Sequence, residues 1–141
     1  MQTQPQSQCV RALAAALLLF TAVARPTAVE AAGKKLHFEN AVMCEAVRDL
    51  APVNSAVVFS ISIGRVACFT RFDRVPGQTF IYHHWYHQDE LSTKKKLFLK
   101  PPSWSTYSSI QLREADKGPW RVEITDEKGT LFATLRFSVT D

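Results

Sequence analysis

Trp120-Arg121-Val122-Glu123-Ile124-Thr125-Asp126-Glu127-Lys128-Gly129-Thr130-Leu131-Phe132-Ala133-Thr134-Leu135-Arg136-Phe137-Ser138-Val139 is the stretch that decides the fold. Trp120, Val122 and Ile124 alternate with Arg121, Glu123 and Thr125. After the turn, Leu131, Ala133, Leu135, Phe137 and Val139 alternate with Phe132, Thr134, Arg136 and Ser138. A period of two sustained this long means one buried face and one wet face, so both arms are strands. Gly129 closes the turn where a bulged hairpin loop needs a residue with positive φ. The pair is a β-hairpin.

The same grammar extends upstream. Short β-type runs are expected at 41–47, 56–63, 66–72, 79–87, 92–99 and 104–112, with a loop at 48–55 around Pro52 and Asn54. Turn signals separate them: Gly64, Val75-Pro76-Gly77-Gln78, Gln88-Asp89-Glu90, Pro101-Pro102 and Ala115-Asp116-Lys117-Gly118-Pro119. Turns every 8 to 15 residues with no comparable helical period point to an all-β domain. The expectation is one immunoglobulin-like β-sandwich of about seven or eight strands over residues 41–141, preceded by a mobile stretch at 33–40.

The first 32 residues read differently. Arg11 supplies a positive start, Ala12 to Ala24 is an unbroken apolar run, Pro26 stops it, and Val29-Glu30-Ala31 precedes a peptidase-like site. Thirteen apolar residues are too few to span a bilayer, where about 20 are needed. Residues 1–32 are therefore expected to be a cleaved signal peptide, leaving no transmembrane segment and a periplasmic or secreted domain. Cleavage removes Arg11, Arg25 and Glu30, so 17 basic residues become 15 and 13 acidic ones become 12. A net charge of +3 is too mild to indicate a nucleic-acid partner. Cys9 leaves with the leader. Cys44 and Cys68 remain as a pair in an oxidising setting, and a disulfide between them is expected.

Candidate functional residues concentrate at Phe80-Ile81-Tyr82-His83-His84-Trp85-Tyr86-His87, which holds three of the four histidines. On a strand, Ile81, His83 and Trp85 share one face, and Tyr82, His84 and Tyr86 share the other. His83 and His87 would then be about 13 Å apart, too far to hold one metal, so neither metal nor cofactor is expected. His83 is expected to be a half-buried imidazole bonded to a neighbouring strand, with Trp85, Trp104 and Trp120 in the core. The candidate ligand surface is Tyr82, His84, Tyr86 and Tyr107, with Arg71 and Arg113 as charged donors. Ser105, Ser108 and Ser109 lie near no Gly-x-Ser-x-Gly elbow, and are expected to satisfy backbone or solvent on a sheet face. Lys94-Lys95-Lys96 marks an edge strand; the rival reading is contact with anionic envelope polymers or head groups.

Gly64-Arg65-Val66, Cys68-Phe69-Thr70, Pro76-Gly77-Gln78-Thr79, His83-x-Trp85, Pro102-x-Trp104, Ser108-Ser109, Gly118-Pro119-Trp120-Arg121-Val122 and Asp126-x-x-Gly129-x-Leu131 follow one another in the order of a known bacterial family. In these pieces the chain resembles the domain of unknown function 2914. The resemblance implies a small β-sandwich-like domain of envelope proteins and names no catalytic residue. The expected function is an exported, non-catalytic binding or interaction module of the bacterial cell envelope, its partner an envelope polysaccharide or envelope protein. The alternatives are a metal-assisted or Ser/His hydrolase using His83, His84 or His87, and a pH-sensitive interaction domain.

Overall fold

The computed structural model describes residues 35–141. The expected leader, 1–32, lies outside them. Nine strands form: β1 (His37–Arg48), β2 (Ala51–Ser55), β3 (Val58–Ser60), β4 (Arg65–Asp73), β5 (Thr79–His87), β6 (Glu90–Leu99), β7 (Trp104–Gln111), β8 (Gly118–Asp126) and β9 (Leu131–Thr140). They build two sheets, one of four strands in the order β2-β1-β4-β7 and one of five in the order β3-β9-β8-β5-β6. All neighbours are antiparallel except β3, which runs parallel to β9. If β4 is taken as strand B, then β5, β6, β7, β8 and β9 follow as C, C′, E, F and G. This is the immunoglobulin-like arrangement the alternation implied.

Three boundaries differ from the sequence reading. β1 begins at His37, where Asp73 pairs with it, so residues 37–40 are strand and not a mobile lead-in. The expected loop at 48–55 turns at Asp49 and Leu50, both with positive φ, and returns at once as β2. The expected run at 56–63 is strand only over β3; Ile61–Ile63 then form a 3₁₀ turn. That turn ends at Gly64, whose φ of 73° is the left-handed conformation a glycine adopts without strain. Within these few residues the chain crosses from the five-stranded sheet to the four-stranded one.

The core fills the space between the sheets. Val66, Cys68 and Phe72 project from β4, Ile81 and Trp85 from β5, Val122 and Ile124 from β8, and Phe137 and Val139 from β9. Trp85 is fully buried and meets Phe137 edge-on with centroids 6.1 Å apart. It occupies strand C, where immunoglobulin-like sandwiches bury a tryptophan. The turn between β8 and β9 is as the sequence suggested. The Asp126 carboxylate accepts from the backbone N–H of Lys128 and of Thr130, both at 2.8 Å, and Gly129 has a φ of 87°.

The expected disulfide does not form. Cys44 and Cys68 are both free and buried. β1 and β4 pair so that Cys44 faces Ala67 and Cys68 faces Met43. Directly paired residues share a face and successive residues alternate, so the two thiols project from opposite faces of the sheet. Cys68 points into the main core, while Cys44 joins Ala67 and Phe69 on the outer side. No rotamer bridges that separation without moving the backbone.

Candidate functional site

β5 divides its side chains as its sequence implied. Ile81, His83 and Trp85 are fully buried, while Tyr82, His84 and Tyr86 are half-buried on the outer face. His83 is more deeply placed than expected, and its partners are not on a neighbouring strand. It reaches across the core to the opposite sheet. Its Nε2 lies 2.6 Å from Thr70 Oγ1 on β4, and its Nδ1 lies 2.8 Å from Ser108 Oγ on β7. Trp85 Nε1 donates to the same Ser108 oxygen at 3.0 Å. Ser108 is buried, so it serves the core and not a solvated sheet face.

This network is chemically closed. Burial, aided by the nearby His84, lowers the His83 pKa from 6.5 to about 3, so the imidazole is neutral near pH 7. A neutral imidazole donates from one nitrogen and accepts at the other, matching two hydroxyl partners. No carboxylate joins the group, and the five main surface depressions among the described residues are lined by other side chains than His83, Ser108 and Thr70. The arrangement pins one sheet to the other through satisfied polar contacts.

The outer face of the five-stranded sheet is built otherwise. Register places Phe80 beside Phe98, Tyr82 between Lys96 and Thr125, and His84 between Lys94 and Glu123. Tyr86 pairs with Arg121 on β8, beyond a bulge in the β5–β6 pairing. Each ring but His84 carries a cation. Lys96 Nζ sits 3.9 Å from the Phe80 centroid, Lys94 Nζ 3.8 Å from Tyr82, and the Arg121 guanidinium 3.9 Å from Tyr86. Arg121 is neutralised by Glu123 and Asp89. Lys94, Lys95, Lys96 and Lys100 have no carboxylate partner among the described residues. His84 Nε2 is 3.0 Å from Thr125 Oγ1, and partial burial followed by the Lys94 charge holds its pKa below the ordinary value. Tyr82, His84 and Lys94 share a shallow depression of about 250 Å³ with the β8–β9 turn, where Asp126, Glu127 and Lys128 form the far rim.

The six candidate ligand residues do not make one surface. Tyr82, His84 and Tyr86 lie on this face. Tyr107 and Arg71 project from the outer side of the other sheet, in register with Phe69 and Ser105, and Arg71 pairs with Glu39 at 2.7 Å. Arg113 lies on the flank between the sheets, bonded to Asp116 at 3.2 Å. Of the tryptophans, Trp120 is core, stacked on His87 at 4.5 Å and donating to Asp116 O at 2.7 Å. Trp104 is not core: it remains 36% exposed at the start of β7, beside a depression shared with Leu50 and Arg71. Sequence reasoning missed Thr70, and it missed the cations that cap the β5 rings. The spacing of Lys94 and Lys96 at i and i+2 on a strand next to β5 carried the second signal. Among the described residues no group of three His, Cys, Asp or Glu side chains could hold a metal. Among the same residues no helix is long and apolar enough to cross a membrane.

Fold and surface together define a small two-sheet β-sandwich module with one aromatic, lysine-capped face. Within it, residues 78–139 match the family described as "Protein of unknown function (DUF2914)", in line with the resemblance carried by the sequence. The match runs from the turn before β5 almost to the end of β9, so the resembling pieces on β4 fall outside it. Comparison with curated proteins gives no match. A solved structure of a β-glucosidase from Erythrobacter marinus aligns with a TM-score of 0.49 at 10% identity, over 75% of this chain. The chain spans 15% of the length of that protein.

Proposed function

We propose that this chain is an exported, non-catalytic binding module of the bacterial cell envelope, and that its binding face is the outer surface of the five-stranded sheet. The observation that carries the reading is the row Phe80, Tyr82, Tyr86 with Lys96, Lys94 and Arg121 stacked on it. Each such contact is worth about 0.5–1 kcal/mol when exposed, enough to hold the ammoniums over the rings. Ring faces already occupied by cations are poor platforms for a neutral sugar. Held and unpaired, Lys94 and Lys96 favour a ligand that brings negative charge. An acidic envelope polysaccharide meets that requirement. The leader-like segment at 1–32 supports export. The deep burial of the His83–Ser108 pair, away from the five main depressions among the described residues, supports a non-catalytic role.

Titration calorimetry of the mature domain with polygalacturonate, against dextran as the neutral control, tests this. Binding should be confined to the acidic polymer, weaken as salt rises from 50 to 300 mM, and fall severalfold in Lys94→Gln/Lys96→Gln. Equal affinity for dextran, or a double variant that binds like the wild type, rules the reading out.

A further inference from the structure

A sandwich of this topology has four sheet edges, and three carry devices that discourage a further strand. β2 is five residues long and contains Pro52. β3 has three residues. β6 carries Lys94, Lys95 and Lys96, and its pairing with β5 is interrupted by a bulge. Short length, proline, lysine and bulges are the usual means of blunting an edge. β7 has none of them. Trp104-Ser105-Thr106-Tyr107-Ser108-Ser109-Ile110-Gln111 has no charge, no proline and no glycine, and pairs with β4 without a break over all eight positions. Its other side is unpaired among the described residues.

That open side borders a groove of about 320 Å³. Ser109, Ile110 and Gln111 of β7 form one wall and Ser92, Thr93 and Lys95 of β6 the other; Arg113, Asp116 and Trp120 close the end. The three consecutive lysines of β6 separate here by parity. Lys94 and Lys96 pair beside the outward His84 and Tyr82, whereas Lys95 pairs beside the inward His83 and so projects to the groove side. Arg113 stands 80% exposed at the mouth and uses its Nε on Asp116. The groove therefore joins a free strand edge to two cations.

We propose that the β7 edge is a docking site for an extended acidic segment of a partner protein. The segment adds as a fifth strand to the four-stranded sheet, with carboxylates at alternate positions turned toward Lys95 and Arg113. Main-chain hydrogen bonds to β7 supply the attachment, and the alternating carboxylates supply the selection. A second copy of this chain fits the edge poorly. Continuing the sheet through β7 of a copy would set its Lys94, Lys95 and Lys96 alongside the same lysines of the first, a like-charge confrontation. This site is independent of the lysine-capped face, because Lys95 and not Lys94 or Lys96 serves it.

The test uses the mature domain and three ten-residue peptides: alternating Val-Glu, alternating Val-Gln, and Val-Glu N-methylated at every residue. The Val-Glu peptide should bind, and amide hydrogen exchange should slow in β7 and not in β2. The Val-Gln peptide should bind at least tenfold more weakly, and the N-methylated peptide, equal in charge but unable to form the ladder, should show no binding. Lys95→Gln should weaken Val-Glu binding about threefold, as expected for one exposed ion pair, whereas Lys94→Gln/Lys96→Gln should leave it within twofold. Equal binding of the N-methylated peptide overturns strand addition. Equal binding of Val-Gln overturns the acidic selection. A dimer in sedimentation with β7 amides already protected in the free protein assigns the edge to a second copy and overturns the proposal.

Discussion

Replacing Ser108 by alanine removes a single oxygen from the core, and the consequence can be worked from its partners. Trp85 Nε1 and His83 Nδ1 both meet that oxygen, at 3.0 and 2.8 Å, and both residues are fully buried. Neither of these two nitrogens has another hydrogen-bond partner among the described residues, and burial keeps both from water. Leaving a buried polar group unsatisfied costs about 1–3 kcal/mol, so the two together cost roughly 2–6 kcal/mol. A domain of this size is stable by only about 5–15 kcal/mol, and 1 kcal/mol shifts its Tm by about 4–8 °C. Urea unfolding at pH 7.5, followed by tryptophan fluorescence, should therefore show a large fall in midpoint, and Tm should drop by at least ~10 °C. Ser105→Ala is the matched control, since Ser105 points outward on the same strand. It should change stability by less than about 0.5 kcal/mol. If Ser108→Ala falls within that same range with an unchanged denaturant slope, the buried network does not pin the two sheets.

Three further outcomes follow from the same structure. The His83 pKa is depressed in the folded state, so the imidazole is neutral in both states above about pH 6.5, while below it only the unfolded chain takes up the proton; stability should fall between pH 6.5 and 3, with a slope approaching ~1.4 kcal/mol per pH unit. His84 adds in the same sense, and His83→Asn should flatten most of the slope in urea titrations at pH 7.5, 6.0 and 5.0. Burial pushes the Cys44 and Cys68 thiols up, so alkylation by iodoacetamide at pH 8, read by mass spectrometry, should add nothing to a natively folded 33–141 fragment and two groups to the same fragment in 8 M urea without reductant. Gly129→Ala meets no atom within 4 Å and costs only the left-handed backbone at φ 87°, so a loss of about 1–2 kcal/mol in urea unfolding is expected.

What was legible in the sequence was parity along single strands. Alternation split Ile81, His83 and Trp85 from Tyr82, His84 and Tyr86 because strand geometry fixes it without reference to any neighbour. What was not legible was register between strands. Cys44 and Cys68 look like a pair until β1 and β4 are aligned; an alignment one residue different would have put them on one face. Sheet membership was hidden for the same reason. Tyr107 and Tyr82 both read as outward, but outward from opposite sheets. Thr70 and Ser108 escaped notice because small hydroxyl residues on a strand look alike whether they face water or a buried imidazole. The open edge of β7 could not be seen at all, since an edge is defined only by which strand is missing beside it.

The parallel pairing of β3 with β9 has a kinetic meaning. It joins residues 58–60 to 138–140, about eighty positions apart, and β9 is also the partner of β8. Closing a loop of that length costs conformational entropy before any native contact repays it, and topologies rich in such contacts fold slowly. β3 therefore finds its neighbour only after the last strand is available. A nascent chain that has not yet released β9 holds its apolar strands in an incomplete sheet.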